Sequence, residues 1–207
     1  VGNTDNDHSF WGPPEVFPFD KKVRPSYKLD SDNPGDDILG QTAAALAASS
    51  MLFKENRYYS MRLLVEAKKL YTWAMEDLDG DGECEVYTPV DNYNSSSCAD
   101  DMAWGALWLY KATGQFRYLK IAREWATRFG SYNKRGYTWN QHENVARMLL
   151  AIETDSLVLI LKQKEASQLT DGQKSLIADN EEYHAYTKEY LDWWSSGQED
   201  GDRVDYT

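Results

Sequence analysis

The chain has 207 residues, of which 42% are hydrophobic and 27% are charged, and its net charge is −12. This composition is typical of a globular protein with one sizeable core. The negative charge argues against nucleic acid or an anionic membrane surface as a partner. No apolar run approaches the roughly 20 residues of a membrane span, so the sequence predicts no membrane partner. A neutral polymer, bound cations or simple solubility all remain compatible with this charge.

An aromatic loop opens the chain. His8, Phe10 and Trp11 precede Gly12-Pro13-Pro14, and prolines hold this stretch stiff. Aromatic side chains on such a loop commonly line a binding site for a flat, hydroxylated ligand, although they also pack beneath loops. The whole chain is rich in rings, with 8 Trp, 14 Tyr and 6 Phe, as in many sugar-binding clefts and in loop-rich cores.

From residue 36 onward the pattern predicts helices joined by turns, with no strand of useful length. Asp36 and Asp37 after Pro34-Gly35 are N-cap residue types, and Gly114 is the residue type expected where a helix ends. Residues 162–177 are polar and predict a helix extension followed by a surface loop. In series, the helices form three αα-hairpins, the unit of α-solenoids and of closed α/α toroids. The predicted helices are 37–53, 58–75, 100–113, 116–129, 143–161 and 175–194.

The stretch between the second and third helices is irregular and acidic. Asp77, Asp79 and Asp81 with the following glycine match the opening of a calcium-binding loop. Its twelfth position is Thr88 rather than glutamate, so a solvated acidic turn is the alternative. The only two cysteines, Cys84 and Cys98, either form one disulfide or are unrelated thiols.

The order of motifs resembles the catalytic domain of glycoside hydrolase family 9, the endoglucanases built as an (α/α)6 barrel. The residues that carry the resemblance extend through the whole chain. They are Val1-Gly2, Asp7-His8, Trp11-Gly12-Pro13-Pro14-Glu15, Pro34-Gly35-Asp36-Asp37, Gln41 to Ser49, Ala67 to Tyr71, Ser95-Ser96-Ser97, Asp100 to Trp104, Trp108 to Gly114, Tyr118-Leu119, Trp139-Asn140 and Leu149-Leu150-Ala151.

The resemblance implies an all-α fold that is part of an (α/α)6 barrel. In the family the catalytic base lies in an Asp-Ala-Gly-Asp segment upstream of the matched region, and the acid is a glutamate near the far C-terminus. Neither occurs in this chain, so we assign no catalytic residue. We expect residues 1–207 to be a single partial domain, the central portion of the barrel with about three of six hairpins. The partner this implies is the remainder of its own catalytic domain.

The resemblance also implies sites for sugar and for calcium. His8 and Trp11 are expected to line the cleft, with Tyr93 and Trp139 at further aromatic positions, although Trp139 is equally typical of a core. A calcium site beside the cleft would use Ser96, Ser97, Asp100, Asp101 and Asn140. The sequence departs from the family at Cys98-Ala99, at Asp101-Met102 and at Asn140, which replaces an aspartate, so charge is lost there. The simpler alternative is that Asp100 and Asp101 stabilise a helix start.

The first hypothesis for function is therefore a fragment of an inverting endo-β-1,4-glucanase that acts on cellulose-type β-glucan and is secreted. Its main rival is a non-catalytic relative, a structural or carbohydrate-binding module that is calcium-dependent if the site is occupied. The departures at Gln41, Cys98-Ala99 and Asn140 favour that rival. A calcium-dependent adhesion or scaffold piece, based on the loop of Asp77, Asp79 and Asp81, is a third reading. The start Val1-Gly2-Asn3-Thr4 has no signal-peptide pattern, but the mature form of a secreted protein would look the same.

Overall fold

The protein is described here from a computed structural model, which covers residues 5, 8–19, 28–30, 32–76, 83–87, 95–130 and 140–195. Within these residues no strand is found, and the predicted all-α class is confirmed. Short 3-10 turns lie at Pro14–Val16 and Ala166–Gln168. The helices are α1 (Asp36–Leu52), α2 (Arg57–Glu76), α3 (Ala99–Thr113), α4 (Phe116–Ala126), α5 (Glu143–Leu161) and α6 (Asp171–Ser195).

The helices form two layers. In the first layer, α1 packs against α3 and α3 packs against α5. Each of these helices also packs against the helix that follows it in the chain, so α2, α4 and α6 form the second layer. Short connections within each pair make the paired helices antiparallel neighbours, as predicted from the sequence. The first-layer helices consequently start at the same end of the protein.

The closest helix contact is the crossing of α1 and α3. A side chain at Gly40 would place its Cβ 2.7 Å from the carbonyl oxygen of Asp101. A Cβ at Gly105 would lie 2.8 Å from the carbonyl oxygen of Gly40 and 2.9 Å from the Tyr71 ring. The Tyr71 hydroxyl donates a hydrogen bond of 2.9 Å to the carbonyl of Met102, which ties α2 to the same crossing. Two glycines therefore let the backbones of α1 and α3 touch.

Small and aromatic side chains fill the core between the layers. Small side chains let α1 and α3 approach closely, which explains why α1 has so few bulky residues. The buried alanines of the two helices are Ala43, Ala44, Ala47, Ala99, Ala103 and Ala106. Larger residues, among them Leu107, Leu119 and Leu150, occupy the space between the helix pairs. The Tyr71 and Tyr118 rings meet edge to face, with centroids 6.3 Å apart.

Three details differ from the sequence prediction. Helix α6 begins at Asp171 rather than near residue 175, because Thr170 and Gln173 form reciprocal side-chain-to-backbone bonds of 3.3 and 3.0 Å at its start. Helix α4 ends at Ala126, three residues before the predicted end. Asp36 and Asp37 do not cap α1 but lie in its first turn. The glycine predicted to end α3 is confirmed, since Gly114 has a φ of 66°.

A disulfide joins Cys84 to Cys98, with their Cα atoms 6.1 Å apart. This resolves the alternative that the sequence left open for the two cysteines. The bond attaches the segment of residues 83–87 to the residue directly before α3. No helix in the described part of the chain is long and apolar enough to cross a membrane.

Candidate functional site

The starts of α1, α3 and α5 meet at one buried cluster. It consists of Asp100 and Asp101 in the first turn of α3, Gln41 from α1, and His142, the residue directly before α5. We call these four residues the acid–histidine cluster. Asp100, Asp101 and His142 are at most 5% exposed. Helix starts carry unpaired N–H groups and a partial positive charge, which favours carboxylates in this position.

Hydrogen bonds join the members of the cluster across the three helices. Gln41 Nε2 donates to Asp101 Oδ1 over 2.8 Å, and the backbone N–H of His142 donates to Asp100 Oδ2 over 2.7 Å. His142 Nδ1 lies 3.1 Å from Asp101 Oδ1 and 3.7 Å from Asp100 Oδ2. Asp100 Oδ1 is buried and has no hydrogen-bond partner among the described residues. The imidazole is thus held between the two carboxylates.

The charges in the cluster depend on one another. Burial acts to lower the pKa of His142, but the hydrogen bonds and negative charge of Asp100 and Asp101 outweigh it and raise that pKa to about 9. Burial raises the pKa of Asp101 to about 6, and the hydrogen bond from His142 opposes part of this rise. At neutral pH the cluster therefore contains an imidazolium beside an ionised Asp101.

Asp36 and Asp37 extend the acidic character of this end of the protein. Asp36 Oδ2 accepts the backbone N–H of Glu85 over 2.9 Å, and Asp37 Oδ1 accepts that of Tyr87 over 3.0 Å. Burial raises the pKa of the Asp37 carboxyl, and the nearby Asp100 carboxylate raises it further. Both side chains hold the segment of residues 83–87 against the start of α1 instead of facing a ligand.

The remaining members of the predicted calcium set make bonds of their own. The backbone N–H of Ser96 donates to Asn140 Oδ1 over 2.8 Å, and Asn140 Nδ2 donates to Ser96 Oγ over 3.1 Å. Ser97 Oγ accepts the backbone N–H of Ala99 over 3.1 Å at the start of α3. The structure therefore joins Ser96 to Asn140, and Asp100 to Asp101 through His142.

The N-terminal loop carries the first two predicted sugar contacts. The Phe10 and Phe17 rings pack edge to face with centroids 5.3 Å apart, and Phe17 packs on Phe19 with centroids 4.9 Å apart. Trp11 does not join this group, and its side chain is 102% exposed relative to the reference state. His8 is exposed as well. The loop thus packs its phenylalanines together and leaves the Trp11 ring in solvent.

The other predicted site residues lie outside the described residues. These are the aromatic positions Tyr93 and Trp139 and the acidic loop of Asp77, Asp79 and Asp81.

His142 is the site residue that sequence reasoning missed. It directly follows Trp139-Asn140-Gln141 and is one of three histidines in the chain. The available signal is positional, because a histidine at the start of one first-layer helix faces acidic residues at the start of its neighbour. Gln41 departs from the family pattern in the sequence, and in the structure it contacts Asp101.

The fold and this site define an all-α protein of serial αα-hairpins whose first-layer helices start around buried carboxylates. Comparison with known proteins makes the class specific. The model of glycosyl hydrolase family 9 matches residues 1–207, and the chain belongs to this family. Its solved relatives are (α/α)6 barrels, and the helices described here form part of such a barrel.

Relatives are found among both sequences and structures. Endoglucanase B of Cellulomonas fimi is 31% identical over all of this chain, which covers 18% of that protein. Endoglucanase A of Bacillus pumilus is 42% identical over 60% of this chain, and the matched region is 19% of that protein. The catalytic domain of CelT from Clostridium thermocellum superimposes on 95% of this chain with a TM-score of 0.71 and 28% identity, and 39% of that domain is matched. The chain thus spans less than half of the length of these relatives.

Proposed function

We propose that this chain is the central part of the catalytic domain of an inverting endo-β-1,4-glucanase that acts on cellulose-type β-glucan. The observation that carries the proposal is the match of the whole chain to glycosyl hydrolase family 9, together with relatives that are named endoglucanases. The relatives support a glycoside hydrolase of the cellulase type, and the inverting, endo-acting mechanism is proposed in addition.

Substrate contact is assigned to His8 and Trp11. The endoglucanase CelQ from Clostridium thermocellum, solved in complexes with cellotriose and with cellotetraose, is similar to this chain with a TM-score of 0.66. A ring fully in solvent on a loop with packed neighbours offers a flat apolar face, and a pyranose ring has matching C–H faces. The exposed His8 imidazole offers a hydrogen bond to a sugar hydroxyl. Contacts of Tyr93 and Trp139 with the sugar stay predictions from the sequence.

The carboxyl groups that cut the bond are proposed to come from other parts of the domain. Inversion needs an acid on the glycosidic oxygen and a base that activates water, about 6.5–9.5 Å apart. Asp36, Asp100 and Asp101 are at most 2% exposed and already bond to protein groups, which supports structural roles for them. We therefore assign no catalytic residue among them.

The remainder of the barrel is the proposed partner of α5. Ile152 and Leu159 lie seven residues apart, on one face of this first-layer helix, and are 62% and 66% exposed. Beside Leu159 an open groove of about 640 Å³ runs between α5 and α6, with Leu159 and His184 among its lining residues. Apolar residues on a first-layer helix are those that a following hairpin would cover.

We also propose that the protein is secreted. The disulfide between Cys84 and Cys98 supports it, because such bonds persist mainly in oxidising compartments. Calcium binding at the loop of Asp77, Asp79 and Asp81 stays a prediction from the sequence.

The test is incubation of the full-length protein that carries this chain with cellotetraose and with carboxymethyl cellulose, followed by product analysis. Release of shorter cello-oligosaccharides together with a rapid fall in polymer length supports an endoglucanase. Binding of cellotetraose without any product would contradict the enzymatic proposal and favour a non-catalytic, carbohydrate-binding relative.

A further inference from the structure

We infer that the side chain of His142 takes the place of a divalent cation between Asp100 and Asp101, and that it joins the start of α5 to the start of α3 without a bound metal. The relevant contacts all lie inside the acid–histidine cluster. The inference concerns how this site is held together and does not depend on the proposed catalytic activity.

The first argument is that the protein already uses the oxygens a cation would need. Asp101 Oδ1 accepts a hydrogen bond from Gln41 Nε2 over 2.8 Å and lies 3.1 Å from His142 Nδ1. Asp100 Oδ2 accepts the backbone N–H of His142 over 2.7 Å. Calcium requires six to eight oxygens at about 2.3–2.6 Å, and it would have to displace these donors to bind Asp100 Oδ2 and Asp101 Oδ1.

The second argument is the position of the imidazole. One ligand atom each of Asp100, Asp101 and His142 lies within 4.8 Å of the other two, so a cation bonded to both carboxylates would lie next to His142 Nδ1. Calcium takes oxygen ligands, and the ring nitrogen at this position offers it none.

The third argument concerns the other predicted ligands. Ser96 and Asn140 bond to each other in both directions, and the amide at Asn140 brings no negative charge. Asp100 Oδ1 is the one cluster oxygen that is buried without a hydrogen-bond partner among the described residues. A single oxygen suits a water molecule but falls well short of a calcium shell. The donor set as a whole therefore does not fit calcium.

A test compares metal dependence in the full-length protein before and after removal of the imidazole. His142→Gln keeps a hydrogen-bond donor but removes the imidazole, and Asn140→Asp adds a carboxylate. We expect the Tm of the protein with Asn140 and His142 intact to be equal in EDTA and in about 1 mM calcium. We expect calcium to raise the Tm of the Asn140→Asp/His142→Gln double variant by about 3 °C, because a metal then binds only the folded state.

Two controls isolate the site. All proteins carry Asp79→Asn and Asp81→Asn, which removes the other predicted calcium loop from the comparison. His184→Gln is the matched control, because His184 bonds to Asp155 over 2.6 Å in an exposed pair between α5 and α6. Loss of that exposed histidine should create no calcium dependence.

Several results would overturn the inference. One is a calcium-dependent rise in the Tm of the protein with His142 intact that disappears in Asp101→Asn. Another is stabilisation by zinc that His142→Gln abolishes, since it would make Nδ1 a metal ligand instead of a proton donor. A folded double variant with no response to calcium would also contradict it. If the double variant does not fold, the deciding measurement is calorimetric titration of calcium into the protein with His142 intact. Calcium binding that is lost in Asp101→Asn would refute the inference. Absence of such binding would support it.

Discussion

Trp11 shows how a single residue reflects both packing and function. Three phenylalanines of the same loop pack on one another, while the Trp11 ring stays in solvent. A large apolar ring gains nothing from such exposure in the folded state alone. The glycine after it is tightly placed, since a Cβ at Gly12 would lie 2.7 Å from the Phe10 ring. The exposure therefore supports a contact with a ligand.

We predict that Trp11→Ala weakens the binding of cellotetraose by the full-length protein about tenfold, or about 1.4 kcal/mol. The free energy of unfolding should change by less than about 0.5 kcal/mol, because the Trp11 ring is fully exposed and packs on none of the residues that the structure describes. Calorimetric titration and thermal unfolding measure the two quantities. Phe116→Ala, another exposed ring, is the control and should leave affinity unchanged. Equal affinities of Trp11→Ala and the unchanged protein would contradict the assignment.

His142 shows where sequence reasoning fails at this scale. The chain pattern favoured carboxylates at the start of α3, and the structure has them there. Their partner lies 42 residues further along the chain, in a connection with no helical period. Local propensity and spacing carry no information on a contact of that kind, which arises only when the hairpins pack side by side. The bonds of Asp36 and Asp37 with Glu85 and Tyr87 were missed for the same reason.

At the scale of elements, all six helices were predicted from the recurrence of apolar residues, and most ends agree with the structure within two residues. The exceptions have local causes. Thr170 and Gln173 form a capping pair that begins α6 earlier, in a stretch whose polarity indicated a surface loop. Helix α4 ends at Ala126, with turn-type bonds such as that from Arg128 to Trp125 following it.

The crossing of α1 and α3 gives a prediction for this scale. Gly40→Ala should lower the free energy of unfolding by about 1–3 kcal/mol, because its Cβ would lie 2.7 Å from a backbone carbonyl that cannot rotate away. Denaturant unfolding of the full-length protein measures the change. Gly172→Ala in α6 is the matched control, since no atom lies within 4 Å of its added Cβ, and it should be neutral or stabilising. A Gly40→Ala variant as stable as the control would disprove the close backbone contact.

At the scale of the whole molecule, the chain covers 39% of the catalytic domain of CelT that it matches. Three hairpins of a barrel leave helix faces that its other hairpins would cover. Ile152 and Leu159 on α5 are the residues proposed to be covered in this way, because they are apolar, exposed and on a first-layer helix. Motif order alone predicts that the chain is only part of a barrel, whereas the exposure of Ile152 and Leu159 follows only from the structure.

Ile152→Asp therefore tests whether other helices of the full-length protein cover the face of α5 that carries Ile152. We predict a loss of about 2–4 kcal/mol in the free energy of unfolding, because the charge would be buried without a partner. Lys164→Asp introduces the same charge at an exposed turn and should cost less than about 0.5 kcal/mol. Similar small effects of both substitutions would show that Ile152 stays in solvent and would contradict the proposed packing.

The central claim is that these hairpins belong to an inverting β-glucanase, and the most direct measurement is the configuration of the first product. Proton NMR during hydrolysis of cellotetraose by the full-length protein separates the two anomers before they interconvert. The account predicts that the α-anomer appears first, because water attacks the face opposite to the departing sugar. Initial formation of the β-anomer, or no hydrolysis of a bound oligosaccharide, would contradict it.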